Sequence, residues 1–350
     1  MLVIRSAKSS DLDALIGMAR QAGSGMTTLK PDPDMLGQRL ATSEASFAET
    51  IPPEQRDYMF VLEHTATGAE AASIAGVCAI KGAVGLTEPF YNYRIGTLVH
   101  CSRELDVFTR METLYLSNDL TGATELCSLF LLPQYRAGFN GKWLSKSRFL
   151  FIAQFQHLFT EKIIAEMRGY QADDGTSPFY EGLGRHFFKM DFNHVDGLTA
   201  VGKKSFIAEL MPRQPLYVDY LPQAAIDVIG KVHTSTQPAR RLLEQEGMHY
   251  EGYVDIFDAG PVLQGRASEL RAVRDSVLAI AAEGAPDEDQ ETEHMLVSNT
   301  RLDDFRMILT RAVPGASRVH LSAAELAQLR CRDGDALRTL TLNSRKHTHG

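Results

Sequence analysis

One segment, residues 121–150, constrains the fold more than any other part of the chain, because it joins a short apolar run to a glycine-containing turn and a helical pattern. The apolar run stops at Pro133, which cannot continue the hydrogen bonding of a central strand, so we expect a buried strand before it. Backbone N–H groups at the helix start would face the turn and attract phosphate. The same residues are also compatible with an ordinary connection between a strand and a helix. The neighbouring segments must therefore decide between a phosphate-binding turn and an ordinary connection. The turn contains Arg136, Gly138, Asn140 and Gly141, and the helical spacing begins at Lys142.

Charge and composition exclude several classes of protein. The 350 residues carry a formal net charge of −8, which argues against a general nucleic-acid surface. With 44% hydrophobic and 23% charged residues the chain can bury a large core, yet no apolar run approaches the roughly 18 residues of a membrane helix. The four cysteines are widely spaced and the N-terminus lacks an apolar signal core, so we expect a reduced, cytoplasmic protein without a membrane partner.

Residues 1–194 are predicted to form a first lobe of α+β class, in which a mixed sheet is flanked by helices. A strand and a helix open the chain in MLVIRSAKSSDLDALIGMARQAG, and a second helix is expected around residues 34–48. YMFVLEH and SIAGVCAI predict a hairpin. Further strands are predicted in YNYRIGTLVHCS, METLYLSND and KIIAEMRG.

The remaining chain is divided by composition. Residues 195–280 either form a second lobe or extend the first sheet, with a helix in PARRLLEQEGMHYEG and a strand in VDIFDAGP. Residues 281–294 are acidic and poor in apolar residues, which predicts a linker. Residues 295–350 would form a small appendage, with a short helix starting at Ser322 and a hairpin around residues 333–335.

The turn after Pro133 resembles the acyl-CoA pyrophosphate loop of the GCN5-related N-acetyltransferase superfamily, written Arg/Gln-x-x-Gly-x-Gly/Ala. Arg136 and Gly141 occupy its ends, but Phe139 stands where the first glycine is expected, and Gly138 comes one place early. The resemblance implies the superfamily fold, a mixed and mostly antiparallel sheet flanked by helices, here enlarged or partly duplicated and followed by a small β-containing appendage.

The segment FYEGLG resembles the superfamily's Phe-Tyr-x-x-Leu-Gly segment at the acceptor end of the site. In that segment a tyrosine protonates the departing CoA thiolate, which would be Tyr180 here. Packing of an amphipathic helix explains the same apolar spacing without any chemistry.

Eight blocks between residues 91 and 233, in the family's order, resemble the arginine N-succinyltransferase family, and the match extends from about Met1 to Ala272. Residues 1–194 would then be the N-acyltransferase-like, acyl-CoA-binding lobe, and residues 195–280 would complete the acceptor site. The resemblance implies transfer of the succinyl group of succinyl-CoA to the α-amine of L-arginine, giving CoA and N2-succinyl-L-arginine in arginine breakdown. Succinyl-CoA is then a co-substrate, and neither a cofactor nor a metal is implied. The blocks are YNYRIGTLVH, LYLSND, ELCSLFLLP, LSKSRF, AEMRG, SPFYEGLGRHFFKMDF, FIAELMP and DVIGKVH.

Two residues receive roles from this resemblance. His233, in DVIGKVH, matches the family's proton donor, and Leu129, in ELCSLFL, matches a position that binds succinyl-CoA. Imidazole suits proton exchange near neutral pH, whether it deprotonates the incoming ammonium or protonates the thiolate. Without the resemblance, His233 would more often be a structural polar residue.

Other site residues follow from the chemistry of the two substrates. The loop residues Arg136, Gly138, Asn140 and Gly141, supplemented by Lys142, are expected at the pyrophosphate. A guanidinium calls for carboxylates, and the succinyl carboxylate calls for a basic partner. The side chains predicted for these two tasks are Glu125 and Arg94, with Asp119, Glu166 and Arg148 as further candidates.

Three alternatives stay open at this point. The acceptor could be ornithine or another basic amino acid, the chain could act as one subunit of a hetero-oligomer with a paralogous chain, or it could bind acyl-CoA without catalysis. A homodimer is the default because closed two-fold assemblies are common. Cys127 is expected to be a small core residue, so no covalent enzyme intermediate is predicted.

Overall fold

The computed structural model describes residues 1–22, 26, 28–65, 72–200, 205–285 and 289–343. Within these residues, fifteen strands form one continuous mixed sheet in the order β14-β11-β15-β12-β13-β1-β2-β3-β6-β7-β10-β9-β4-β5-β8. Neighbouring strands are antiparallel except for the pairs β6/β7 and β11/β14. The strands are β1 (Leu2–Ser6), β2 (Asp57–His64), β3 (Ser73–Lys81), β4 (Asn92–Ser102), β5 (Val107–Ser117), β6 (Thr124–Leu131), β7 (Lys162–Glu166), β8 (Leu216–Tyr217), β9 (His249–Val254), β10 (Pro261–Arg266), β11 (Val277–Glu283), β12 (Glu293–Asn299), β13 (Arg306–Ala312), β14 (Arg318–Leu321) and β15 (Ala336–Thr341).

Helices cover both faces of this sheet. None of the helices in the described residues combines the length and apolar character needed to cross a membrane. The helices are α1 (Leu12–Ala22), α2 (Pro33–Phe47), α3 (Asn140–Gln154), α4 (Arg185–Phe188), α5 (Phe192–Ala200), α6 (Ser205–Leu210), α7 (Gln223–Ile226), α8 (Gln237–Gln245), α9 (Arg271–Asp275) and α10 (Ala323–Leu329).

Two apolar cores sandwich the central strands. On one face α1 and α2 pack against β2, β3 and β6 through Leu15, Leu40, Met59 and Val77. On the opposite face α3 packs against the same strands, and it also contacts α8, α9, β12 and β15. Residues Trp143 to Ala153 of α3 are consequently buried on every side, so this helix lacks the solvent-facing stripe of an ordinary surface helix.

The central part of the fold agrees with the sequence. The opening strand and helix, the helix around residues 34–48, the β2/β3 hairpin and the strands β4 to β7 are confirmed. Most of the turn between β2 and β3 lies outside the described residues. The α+β class and the large, mostly antiparallel sheet are also confirmed.

The prediction of a strand in VDIFDAGP was wrong. β9 ends at Val254 and β10 starts at Pro261, and Asp255–Gly260 form the connection between them. The carboxylate of Asp255 accepts the N–H groups of Phe257 and Asp258 at 2.7 and 2.8 Å, which closes the chain into a local turn. Aspartate is depleted in strands because its side chain competes in this way for backbone N–H groups.

The prediction of a hairpin around residues 333–335 was also wrong. The residues before this turn belong to α10, which begins after Ser322 with the expected side-chain cap on the Glu325 N–H. β15 follows the turn and pairs with β11 and β12 instead of folding back on its own predecessor.

One continuous sheet extends across the boundaries that were predicted for the linker and the lobes. Residues 281–283 end β11 and residues 293–294 start β12, so both ends of the acidic segment are strand. β9 and β10 lie between β7 and β4. The segment 195–280 therefore contributes strands between those of residues 1–194, and the boundaries at 194 and 280 stay predictions.

Candidate active site

The parallel strands β6 and β7 separate soon after they start. Their register contains two pairs, Thr124 with Ile163 and Glu125 with Ile164, and no later pair among the described strands. Diverging strands leave backbone N–H and C=O groups without ladder partners, and these groups can bind a ligand that enters between them. The divergence creates a cleft at the centre of the sheet.

A β-bulge in β6 faces this cleft. Val77 of β3 pairs with Phe130 and Ala79 pairs with Cys127, so Ser128 and Leu129 together stand opposite one residue. Ser128 has a left-handed φ of +54°, which is unusual for a residue other than glycine. Leu129, the residue predicted to bind succinyl-CoA, lies in the bulge and lines the cleft.

Polar side chains hold the bulge in place. The Ser128 hydroxyl accepts a hydrogen bond from Arg39 at 2.7 Å and donates to the Thr28 hydroxyl at 2.9 Å. Arg39 also forms two hydrogen bonds with the carboxylate of Asp57, at 2.6 and 3.1 Å. A bidentate pair of this kind orients the guanidinium, and through it the strained residue.

The predicted phosphate turn follows β6 directly, but the helix begins earlier than expected. α3 starts at Asn140, so Asn140 and Gly141 lie in its first turn and Gly138, with φ +57°, precedes it. The Asn140 side chain donates to the Tyr135 carbonyl at 3.0 Å and fixes the turn. The helix therefore starts one short turn after the cleft strand, and the N–H groups of a first helical turn are groups that can bind phosphate.

The two basic side chains of this region are placed differently. Arg136 donates from Nε to the Leu131 carbonyl at 2.9 Å, and its guanidinium carbon lies 5.5 Å from the centre of the Phe130 ring. Lys142 extends toward the C-terminal strands, where Nζ donates to Asn343 Oδ1 at 2.5 Å. Arg136 is exposed and stays available to a phosphate beside the helix start.

Two adjoining cavities occupy the cleft region. The smaller, of about 160 Å³, lies between β6, β7 and α8, and the larger, of about 740 Å³, lies beside it toward α2. Both are lined by Thr28, Glu125, Glu166 and Asp255. Three of these four shared residues carry carboxylates.

These carboxylates stand close enough to disturb one another. Burial raises the pKa of Glu166 well above its usual range, and the charges of Asp255, Glu125 and Asp258 raise it further, against the hydrogen bond that Asn92 Nδ2 donates at 2.9 Å. Asp258 accepts the N–H groups of Gly169 at 2.8 Å and Gly260 at 2.9 Å. Repulsion of this kind is relieved when a cation binds.

One basic residue, Lys81, reaches the larger cavity near this group. Its ammonium lies 3.9 Å from the Glu125 carboxylate. Burial lowers the pKa of Lys81, but Glu125, Cys127 and Asp57 together outweigh burial, so the pKa is raised. The cavity nevertheless remains acidic, because Glu166 and Asp255 add to Glu125.

His233 lies beside the end of β7 and lines neither cavity itself, but its hydrogen-bond partners Arg168 and Thr236 line the smaller one. Its backbone N–H donates to the Arg168 carbonyl at 2.9 Å, and its carbonyl accepts the Thr236 hydroxyl at 2.8 Å. The N–H of Ser235 donates to Nδ1 at 3.2 Å, so the neutral ring carries its proton on Nε2. Burial and the charge of Arg168 lower the pKa of His233.

Tyr180 and Arg94 do not line either cavity. The Tyr180 ring is fully buried among Tyr93, Phe188 and Phe192, and its hydroxyl donates to the Met190 carbonyl at 2.9 Å. Burial raises the pKa of Tyr180 to about 12. Arg94 is exposed and stands 3.7 Å from Asp119. Of the two residues predicted for substrate binding, Glu125 is therefore in the cleft and Arg94 is outside it.

Sequence reasoning missed Asp255 and Asp258, the two carboxylates of the β9–β10 connection. The available signal was the Asp-Ala-Gly at residues 258–260, which is typical of a turn. Arg39, Asp57 and Lys81 were missed as well, because single charged residues in a helix or at a strand end do not differ from solvated surface residues in sequence.

Comparison with known proteins agrees with this architecture. The family model described as "Arginine N-succinyltransferase beta subunit" matches residues 2–272, and the model of its C-terminal domain matches residues 277–341. Proteins named arginine N-succinyltransferase from Shigella dysenteriae serotype 1 and Escherichia coli strain K12 are each 46% identical over 348 residues, covering 99% of this chain and 100% of the relative. The solved structure of arginine/ornithine succinyltransferase subunit AI from Pseudomonas aeruginosa is 32% identical, with a TM-score of 0.89 over 98% of this chain and 99% of that one.

Fold, cleft and matches together define an acyltransferase. The chain belongs to the arginine N-succinyltransferase beta subunit family, and the agreement extends through the C-terminal strands as well as the catalytic region.

Proposed function

We propose that this protein transfers the succinyl group of succinyl-CoA to the α-amine of L-arginine, giving CoA and N2-succinyl-L-arginine. The observation that carries the proposal is the cleft between β6 and β7, which opens beside a helix start on one side and into a carboxylate-lined cavity on the other. A thioester with a phosphorylated tail fits the first side, and a cationic amino acid fits the second. The names of the relatives support the same pair of substrates.

The CoA side uses backbone groups more than side chains. The unpaired backbone of Leu129 in the bulge offers hydrogen bonds to the amides of the pantetheine arm. The first turn of α3, with Gly138, Asn140 and Gly141 around it, is assigned to the pyrophosphate. Arg136, exposed beside this turn, adds positive charge, and Lys142 lies farther along toward Asn343.

The acceptor side is assigned to the carboxylates of the larger cavity. L-Arginine enters with two cationic groups, the guanidinium and the α-ammonium, and Glu125, Glu166 and Asp255 offer oxygen acceptors to both. Binding of this cation offsets the mutual repulsion of the carboxylates. The cavity of about 740 Å³ has the size of a pocket for a small molecule.

The chemistry is direct transfer in a complex of both substrates. The α-ammonium first loses a proton to solvent, and the neutral amine attacks the thioester carbonyl carbon, forming the C–N bond. The C–S bond then breaks, the nitrogen gives up a second proton as it becomes an amide, and the thiolate takes up a proton. His233 beside the end of β7 is assigned to this proton exchange, and in its imidazolium form the ring can pass the Nε2 proton to the thiolate.

A covalent enzyme intermediate is not needed for this sequence of steps. Cys127 is buried in the bulge strand, and burial raises the pKa of its thiol, although the charge of Arg39 opposes the effect. A thiol with a raised pKa is a poor nucleophile at neutral pH. Cys127 is therefore assigned to packing, with the sulfur accepting a hydrogen bond from Arg39 at 3.4 Å.

Assembly and location belong to the same proposal. The homodimer expected from base rates is retained, with a hetero-oligomer with a paralogous chain as the alternative to which the family description "beta subunit" and the neighbour's title "subunit AI" point. A cytoplasmic location is supported by the four free cysteines, Cys78, Cys101, Cys127 and Cys331.

The deciding experiment is a steady-state assay of CoA release. Succinyl-CoA and acetyl-CoA are tested with L-arginine, L-ornithine and L-lysine, and the products are identified by mass. We expect efficient release only with succinyl-CoA and arginine, with a singly succinylated product. Preference for ornithine, which the neighbour's title also names, would change the assigned acceptor from arginine to ornithine. Absence of CoA release with every acceptor would contradict the proposal.

A further inference from the structure

Arg148 of α3 is a buried cation without a carboxylate partner. Its residue is 2% exposed. Nε donates to the Ser145 carbonyl at 3.3 Å, one terminal nitrogen donates to the Ser145 hydroxyl at 3.1 Å, and the other donates to the Cys127 carbonyl at 3.4 Å. All three partners are neutral oxygens, so the charge itself is uncompensated within the part of the chain that the structure describes.

The other buried basic residues behave differently. Arg5 pairs with Asp11, Arg306 pairs with Asp304, and both Lys146 and Arg271 pair with Glu246. Among the five basic side chains that are buried in the described residues, Arg148 is thus the exception. Leaving a buried charge unpaired is costly, so a position that retains one calls for an anionic partner from outside the chain.

The position of Arg148 indicates what that partner is. The residue lines the smaller cavity, and its bond to the Cys127 carbonyl places the guanidinium against the bulge strand. The same cavity is lined by the apolar side chains of Leu126, Leu129 and Met167, by a second cation, Arg168, and by the carboxylates of Glu125, Glu166, Asp255 and Asp258. Arg148 forms no ion pair with these four carboxylates, so a short apolar chain that ends in an anion can lie against the apolar wall and meet this buried cation.

We propose that Arg148 binds the terminal carboxylate of the succinyl group and thereby selects succinyl-CoA over thioesters without that carboxylate. The inference rests on the proposed function, in which the thioester lies along the bulge of β6. A guanidinium has five N–H donors, of which three are used here, so two remain for a carboxylate. Selection follows because an apolar acyl group would leave the charge unpaired.

Competing cations near the cleft are less suited to this task. Arg168 lines the same cavity, but its guanidinium donates to the Gln171 side chain from Nε at 3.2 Å and also from a terminal nitrogen. Lys81 stands beside Glu125 in the larger cavity. Arg94 is exposed on β4 and stands 3.7 Å from Asp119.

The test compares succinyl-CoA with butyryl-CoA, which has the same four-carbon chain with a methyl group in place of the carboxylate. We expect Arg148→Gln to lower kcat/KM for succinyl-CoA about 100-fold, the size of a lost charge-assisted contact, while butyryl-CoA changes less than about threefold. Arg148→Lys keeps the cation and is expected to retain part of the preference. Arg94→Gln is the matched control and should leave the ratio of the two donors unchanged.

Calorimetric titration of both thioesters into the wild type and Arg148→Gln gives a readout that does not need turnover. We expect the wild type to bind succinyl-CoA more tightly than butyryl-CoA and the variant to lose this difference. Equal losses with both thioesters would make Arg148 a structural residue, and an unchanged preference in the variant, or a loss of it in Arg94→Gln, would also overturn the inference. Failure of the proposed function would instead be seen in the wild type, as absence of turnover with arginine.

Discussion

His233 and Arg168 are joined through their backbones, with the His233 N–H 2.9 Å from the Arg168 carbonyl oxygen. An adjacent bridge between Gly169 and Val232 extends this contact. The segment that carries the histidine is therefore fastened to the end of β7, one wall of the cleft. This contact holds a residue far along the chain from β6 beside Arg168, which lines the smaller cavity.

His233→Gln is expected to lower kcat about 10²- to 10⁴-fold, the usual contribution of a positioned acid or base, without loss of folding. Because burial and Arg168 lower its pKa, the limb of the pH–rate profile that belongs to His233 should lie below 6.5 and vanish in the variant. Steady-state rates across pH 5–9 measure both effects. The exposed His157→Gln is the control. A variant that keeps a third of wild-type turnover would contradict the assignment.

Glu166→Gln is expected to stabilise the unliganded protein more at pH 8 than at pH 5. The pKa of Glu166 is raised in the folded protein, so its favourable contribution is complete below the unfolded value of about 4.3 and is lost as pH rises through the folded pKa. A neutral glutamine removes this loss. Thermal unfolding at several pH values tests the trend, with the exposed Glu104→Gln as control. An increment that shrinks as pH rises would show that burial and the neighbouring carboxylates do not raise the pKa of Glu166.

Tyr180→Phe is expected to cost about 1 kcal/mol of stability and to keep most of the turnover. The Tyr180 hydroxyl donates a hydrogen bond to the Met190 carbonyl within a buried aromatic cluster. Removing the hydroxyl leaves this carbonyl without that donor. Urea unfolding and steady-state rates are measured together, with the exposed Tyr220→Phe as control. A turnover loss as large as that of His233→Gln, in a folded protein, would restore Tyr180 as the proton donor.

Gly260→Ala is expected to destabilise the protein by about 1–3 kcal/mol or more, because an added Cβ would overlap the Met167 carbonyl oxygen. The same shift would disturb Asp258, which accepts the Gly260 N–H at 2.9 Å. Gly17→Ala is a suitable control, since α1 leaves open space around that position and alanine favours helix. Equal unfolding midpoints for the two variants would contradict this account of the β9–β10 connection.

Much of the fold was predictable because it depends on local pattern. The apolar run before Pro133, the β2/β3 hairpin and the cap at Ser322 all follow from period, turn chemistry and capping. The failures have a common physical cause. Residues 254–261 and 329–335 are shaped by side-chain hydrogen bonds and by strand partners distant in sequence, which no local window contains.

The candidate site was predictable in part for a similar reason. The local pattern located the helix start, whereas Leu129 was found through the family resemblance and Glu125 through the chemistry of the substrates. Asp255 and Arg39 reach the cleft only through the order of strands in the sheet and the packing of α2 on it. The role proposed for Arg148 depends on its forming no ion pair with a carboxylate among the described residues, which the sequence does not reveal.

The interleaved order of the sheet has a consequence for how the chain is made. β10 lies against β7, and β13 lies against β1, so two early strands receive their neighbours from residues 261–266 and 306–312. A chain growing from the ribosome would expose both strand edges until most of its length had emerged. Such late, non-local pairing slows folding and leaves edges open to aggregation. Chaperone demand during synthesis, measured as the yield of folded protein in a chaperone-free translation system, should accordingly be high for this protein.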